Sequence, residues 1–267
     1  MVLIFSSCEE LERPNTNQFV VEGFLTADFD VSDIKVKETV TLNDDITDIP
    51  ITDAQVIVSS GNESVMLDYN PGTGRYVDSA GGLEIKSGDQ IDIEINVNGT
   101  MATASSIVPE KPTGLNLTET RLVVPTLRLN FLLREQIAEL FEEEVSTFSW
   151  EGVPGRSYFV VIETLEENLD PILPSEIPAE ATELLSSFRF ISAPTEATSF
   201  DIIAIALETY GRHVARVYSV NEEYVDLFNS ETQDSRDLNE PPSNVANGLG
   251  IFTAFAVDSL VFTVERN

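Results

Sequence analysis

Alternation of apolar and polar residues dominates this chain. From Gln90 to Val97 it places Ile91, Ile93, Ile95 and Val97 on one side of an extended backbone and Asp92, Glu94 and Asn96 on the other. Period-two spacing marks a half-buried strand, because a helix would scatter the four apolar residues around its axis. Phe19 to Leu25, Ile34 to Leu42, Asp53 to Ser59 and Ser64 to Tyr69 read the same way. Turn chemistry separates them: Ser60-Gly61-Asn62, then Asn70-Pro71-Gly72, where Pro followed by Gly suits a type II turn. Strands recurring at this interval predict a sandwich.

Pro109-Glu110-Lys111-Pro112 reads as a linker. After it, Arg121 to Leu132 predicts a strand, and Leu133 to Glu144 a helix with Leu133, Ile137, Leu140 and Phe141 on one stripe. Phe148 to Ile162 reads strand, turn, strand, and a Pro-rich segment from Asp170 to Pro178 leads into a short helix ending near Ser187. Phe188 to Ile191, Phe200 to Leu207 and His213 to Val220 predict strands, the last two forming a hairpin about Tyr210-Gly211. Asn221 followed by Glu222 and Glu223 is a helix start, with Tyr224, Leu227 and Phe228 as its apolar stripe. Gly248 to Phe252 opens a strand, and Leu260 to Val264 closes the sheet.

The expected fold is mainly β: two β-sandwich domains of immunoglobulin or fibronectin type, with short helices inserted in the second. The boundaries read as 1–17 for a signal remnant and tether, 18–109 for the first sandwich and 113–267 for the second.

Charge narrows the function classes. Against 15 Lys and Arg stand 46 Asp and Glu, a formal net charge of −31. Such a surface repels phosphate backbones, so no nucleic-acid partner is expected, and it gains nothing from an anionic leaflet. It favours surroundings where salt or divalent ions screen it. The longest aliphatic run, Ile202 to Leu207, is far short of the ~20 residues that cross a bilayer. One cysteine allows no internal disulfide and no Cys-rich zinc or iron–sulfur site; one histidine, His213, excludes HExxH chemistry.

That single cysteine follows Met1-Val2-Leu3-Ile4-Phe5-Ser6-Ser7. An apolar core, small residues and then Cys8 is the order of a bacterial lipoprotein signal, in which the thiol receives diacylglycerol. Acyl chains at ~0.8 kcal/mol per buried CH₂ would hold the chain to a lipid bilayer. The core is five residues without Lys or Arg, shorter than the ~7–15 of a working signal, which places the expected true start upstream of Met1.

Candidate chemistry in the body is sparse. With 46 acids, some carboxylate pair falls at any separation, so a glycosidase pair is not singled out. His213 lies on an expected strand with no GxSxG elsewhere, which reads as structural. Asn43 to Asp48 is an acid-rich loop whose Asp44, Asp45 and Asp48 are candidate Ca²⁺ ligands, and Asp28 to Asp33 is a second such loop. Neither has EF-hand spacing, and acid-rich loops are ordinarily just solvated. No other cofactor is expected. Trp150, Tyr158 and Phe159 fall where a sandwich core needs aromatics, and Gly248 and Gly250 read as a bulge or close strand packing.

Several segments resemble known families. Ala54 to Val58, Gly74-Arg75-Tyr76 and Gly88 to Val97 are similar to a carboxypeptidase-regulatory or transthyretin-like sandwich. Trp150 to Ile162 is similar to the B and C strands of a fibronectin type III domain. The succession Tyr218 to Tyr224, Pro242 to Val245 and Asn247 to Phe252 resembles Bacteroidota lipoproteins of domain of unknown function 4249, a resemblance running from Cys8 to the last strand. It implies an outer-membrane lipoprotein, often encoded beside a TonB-dependent receptor, and it supplies no catalytic residues. Asn244, Gly248, Gly250 and Phe252 are its structural signature, and Glu9 and Glu10 resemble the surface-export signal of such lipoproteins. The expected function is a non-catalytic binding accessory, lipid-anchored and surface-exposed, with a TonB-dependent receptor as partner. An adhesin or structural envelope protein is the alternative, and a hydrolase a more distant one.

Overall fold

A computed structural model describes residues 18–39, 48–126, 144–172, 189–204, 207–231 and 241–267, with positions 132, 135, 136 and 138 between them. In the N-terminal half run β1 (Phe19–Thr26), β2 (Ile34–Glu38), β3 (Gln55–Ser60), β4 (Glu63–Asn70), β5 (Arg75–Val77), β6 (Gln90–Val97) and β7 (Thr100–Ile107). Then come β8 (Thr113–Leu117), β9 (Arg121–Val124), β10 (Glu144–Glu151), β11 (Ser157–Thr164), β12 (Asp170–Pro171), β13 (Arg189–Ile191), β14 (Ser199–Ile203), β15 (Thr209–Val220), the helix α1 (Glu222–Glu231) and β16 (Leu249–Arg266). The protein is mainly β, as the alternation predicts.

One sheet runs through both halves in the order β13-β11-β15-β16-β1-β2-β5-β4-β3-β6-β7, and β14-β10-β8 form a separate three-stranded sheet. β16 is the shared strand. Its first part pairs in parallel with β1, Val20 opposite Leu249 through Thr26 opposite Phe255, and its later part pairs antiparallel with β15. A parallel pair needs a long crossover; here almost the whole chain lies between its two members.

The alternation fills two large cores and a smaller cluster of Phe159, Val161, Val220 and Phe255. In the first, Ile91, Ile93 and Ile95 of β6 meet Val56 and Val58 of β3 and Phe19, Val21 and Leu25 of β1, and Val245, Phe252, Ala254 and Ala256 from the far end of the chain complete it. In the second, Phe148 and Trp150 of β10 face Tyr158, Val160 and Ile162 of β11, Ala215 and Val217 of β15, and Phe262 and Val264 of β16. The even-numbered positions of β16 thus serve both cores. At ~1.5–3 kcal/mol per buried large side chain, one strand face ties the two halves together.

Several expectations change on contact with the structure. No hairpin turns at Tyr210-Gly211: both residues lie inside β15, while β14 pairs with β10 in the opposite sheet. Gly211 takes φ +105° and faces Val264 of β16, so it bends a continuing strand rather than ending one. Gly248 to Phe252 and Leu260 to Val264 belong to one continuous β16. In the turn after β4, Gly74 and not Gly72 takes positive φ, and the Asn70 carbonyl accepts from the Thr73 and Gly74 N–H groups. The strand from Arg121 stops at Val124, before Pro125, and most of the predicted helix Leu133 to Glu144 lies outside the described residues. The helix expected to end near Ser187 lies outside them too. At the linker, Pro109 and Pro112 are buried.

Candidate functional site

The face of the sheet turned away from both cores carries the most distinctive surface. Odd-numbered residues of β11, even ones of β15, odd ones of β16 and even ones of β1 share it, because cross-strand partners project to the same side: Phe159 is opposite Tyr218, and Thr26 opposite Phe255. The Phe159 and Tyr218 rings stack, centroids 4.7 Å apart and 3° from parallel. Phe24 and Phe255 stack at 6.1 Å, and Tyr224 of α1 meets Phe24, Phe159 and Phe255 from above. Phe159 and Phe255 are buried floor; Phe24, Tyr218 and Tyr224 are half-exposed walls. The rings surround an open groove of about 380 Å³ bordered by Thr26, Asp33 and the exposed Ile191. Such rings give large contact area with little entropy to lose on binding.

α1 is held in place by an unexpected use of the residue that precedes it. The Asn221 carbonyl accepts from the Tyr224 N–H, as a helix start should, but its side chain reaches outward. Asn221 Nδ2 donates to Ser106 Oγ (3.0 Å) and to the Ile107 carbonyl (2.8 Å) on β7, while Oδ1 accepts from Arg156 (2.8 Å). The side chain at the predicted helix start is therefore a bridge between the halves.

A second constellation lies where β16 begins. Among the described strands only β1 flanks Leu249 to Phe255, since pairing with β15 starts at Ala256. Residues 244–246 cover the other edge. Asn244 Oδ1 accepts from the Phe252 N–H (2.9 Å), its Nδ2 donates to the Phe252 carbonyl (2.7 Å), and its own N–H donates to the Gly250 carbonyl (3.2 Å). Ala246 exchanges two backbone hydrogen bonds with Thr103 of β7. This segment closes the first core between β7 and β16. Gly250, at φ +104°, lies so close to β1 that a Cβ would stand 2.0 Å from the Val21 carbonyl oxygen. Phe252 is wholly buried, its ring 2.7 Å from where a Cβ of Gly23 would be.

The sequence pattern of the domain of unknown function DUF4249 matches residues 8–260. The chain belongs to that family. No curated protein matches it. Among solved structures, a crystal structure of titin domains A168–A170 is similar at 11% identity and a TM-score of 0.24, covering 91% of this chain and 62% of the titin chain. The chain thus spans less than two thirds of that structure, a likeness too distant to bear on function.

In this DUF4249 member the four residues expected as a structural signature, Asn244, Gly248, Gly250 and Phe252, all sit in the joint. Gly248 is buried, and a Cβ there would lie 3.2 Å from that of Ala102 on β7. Their work is structural.

The other predicted residues fare differently. Cys8, Asp44 and Asp45 lie outside the described residues. Asp48 is exposed, with Oδ1 3.6 Å from Lys37 Nζ. Asp33, in the second acidic loop, pairs with Arg75. Among the described residues no group of three acids, histidines or cysteines is placed to hold a metal. His213 is buried against Phe262, with Nε2 3.3 Å from Thr209 Oγ1 and Nδ1 3.2 Å from the Gly211 carbonyl. Burial lowers its pKa, with the Gly211 contact and Glu166 acting the other way. Trp150 and Tyr158 lie in the second core, and Phe159 is buried too, in a smaller cluster with Val161, Val220 and Phe255 beneath the groove.

Asp78, which no motif singled out for this role, holds the turn that follows β5. Burial pushes its pKa up, but the N–H groups of Ala80, Gly81, Gly82 and Leu83 donate to its carboxylate and together hold it below the ordinary value.

Proposed function

We propose that this protein is a non-catalytic binding accessory, held to the outer membrane by acyl chains on Cys8, which contacts its partner through the aromatic groove. The observation that carries this reading is the groove itself. Half-exposed Phe24 and Tyr218 and buried Phe159 and Phe255 stand on strands from both halves, and half-exposed Tyr224 meets them from a helix pinned to β7 by Asn221. Rigid aromatic surfaces of this kind are typical of binding energy concentrated in a few residues.

The lipid anchor rests on the apolar-small-Cys order at Cys8, and the Bacteroidota setting and TonB-dependent receptor partner on the family resemblance. Ten positions separate Cys8 from Gln18, so a fully extended tether spans about 35 Å at ~3.3–3.6 Å per residue. The net charge of −31 keeps the body off an anionic leaflet, leaving the folded part to meet a neighbour that projects from the membrane.

Two measurements on native material test this. Intact-mass analysis should find a diacylglyceryl group on Cys8, and detergent extracts should yield an outer-membrane β-barrel with the protein. A Cys8→Ala chain should leave the membrane fraction. A bare thiol in native protein, or repeated isolation without any barrel, would refute the proposal.

A further inference from the structure

We infer that the aromatic groove receives a basic side chain, an arginine above all, presented by the partner protein; this deepens the binding role proposed above and rests on it. The ring arrangement is the first ground. Tyr224 stands at 87° to Phe24 and 79° to Phe255, and Phe255 stands at 84° to Tyr218. The rings around the groove thus stand in more than one orientation, which suits a cation because the face of each ring is its negative pole. A purely apolar guest would use the same area without needing that disposition.

Charge is the second ground. Asp33 stands at the rim and α1, which supplies Tyr224, carries Glu222, Glu223, Asp226 and Glu231 with no Lys or Arg. Three basic groups on the neighbouring strands are already engaged, Arg75 with Asp33, Arg216 with Glu163 and Lys37 with Glu22, while Lys35 stands opposite Glu22 on β2. Arg75 uses one oxygen of Asp33, and a carboxylate can accept from several donors at once. With −31 overall, long-range attraction steers a basic segment to this molecule and turns an acidic one away. Arginine fits better than lysine because its planar guanidinium stacks on a ring while donating sideways to a carboxylate.

The test uses the full-length chain in detergent and two short peptides that differ at one position, arginine in one and citrulline in the other. Citrulline keeps the shape and loses the charge. Calorimetric titration at about 0.15 M salt should show the arginine peptide binding about tenfold more tightly. Phe24→Ala and Tyr218→Ala should each remove most of that preference, while Phe29→Ala, an exposed ring away from this groove, should leave it intact. Ring resonances of the unmodified protein should shift with the arginine peptide, which reads the site without any substitution.

Equal affinity for the two peptides, no detectable binding of either, or an arginine preference untouched by loss of Phe24 and Tyr218 would overturn the inference. Barrel co-purification without an arginine preference would sink this inference and leave the binding role standing. An arginine preference without any barrel would do the reverse.

Discussion

Replacing Asn244 by alanine should loosen the joint between the two halves by an amount the geometry sets. Its amide makes two hydrogen bonds to Phe252, 2.9 Å from the N–H and 2.7 Å to the carbonyl, at a residue with no solvent exposure. On that edge β16 has no strand partner among the described residues, because β15 pairing begins at Ala256. Truncation would leave a donor and an acceptor unpaired, and each unsatisfied buried group costs about 1–3 kcal/mol. A total of about 2–6 kcal/mol follows, a large share of the ~5–15 kcal/mol that holds a typical domain folded. Asn244→Asp sharpens the test. A carboxylate still accepts from the Phe252 N–H but sets a negative oxygen against the Phe252 carbonyl, so at neutral pH it should cost at least as much as alanine. It should recover as acid protonates the side chain and restores a donor. Urea unfolding followed by circular dichroism, with the slope checked for constancy, measures all three proteins. Alanine within about 0.5 kcal/mol of wild type, or aspartate equal to wild type at pH 7, would show that the clamp does not hold the joint.

Gly250→Ala should be worse than Asn244→Ala, because it adds a contact at 2.0 Å with the Val21 carbonyl to a backbone at φ +104°; loss of soluble folded protein is expected, and normal expression with an unchanged midpoint would refute it. Asp78→Asn should destabilise by about 2 kcal/mol, since an amide offers one acceptor oxygen where four N–H groups converge. Because the folded Asp78 carboxyl titrates below its ordinary 3.8, its contribution is complete above that value and is lost as pH falls through the lowered one; a wild-type acid slope that survives in Asp78→Asn would contradict this. His213 has the opposite chemistry and the same direction. Burial keeps the ring neutral, so below the ordinary 6.5 the unfolded chain binds the extra proton and stability falls with acid, levelling off beneath the lowered folded value. Unfolding midpoints between about pH 7.5 and 5.5 should drop more for wild type than for His213→Gln.

Period-two alternation made most of the strands legible because each has one face on a core: β6 reads straight off Ile91, Ile93 and Ile95. What it could not show is which strand lies beside which. The parallel pairing of β1 with β16 joins residues more than two hundred positions apart, and nothing local in Val20 or Leu249 announces it. The false hairpin at Tyr210-Gly211 arose because glycine marks a bend in a strand as readily as a turn between two. The groove was visible in fragments. Phe24 falls in the polar phase of β1, out of step with the buried Val21 and Leu25, and Tyr218 falls likewise between the buried Val217 and Ser219. An aromatic on the wet phase of a strand is the signal; that Phe159 shares their face follows only from pairing.

The same structure explains why family membership and function come apart here. Each residue of the C-terminal signature is committed to the backbone or to packing. Asn244 holds Phe252, Gly250 admits Val21, Phe252 lies over Gly23, and Gly248 lets the chain pass Ala102. Substitution at any of them damages the joint before it can alter recognition, so their part is in the architecture. Phe24 and Tyr218 stand otherwise. Their rings are half-exposed, and their strands would keep the same backbone pairing with other side chains there. If the groove is where members of this family differ in what they bind, the difference must be written in such positions, on the outward phase of β1 and β15, one step out of register with the residues that make the fold.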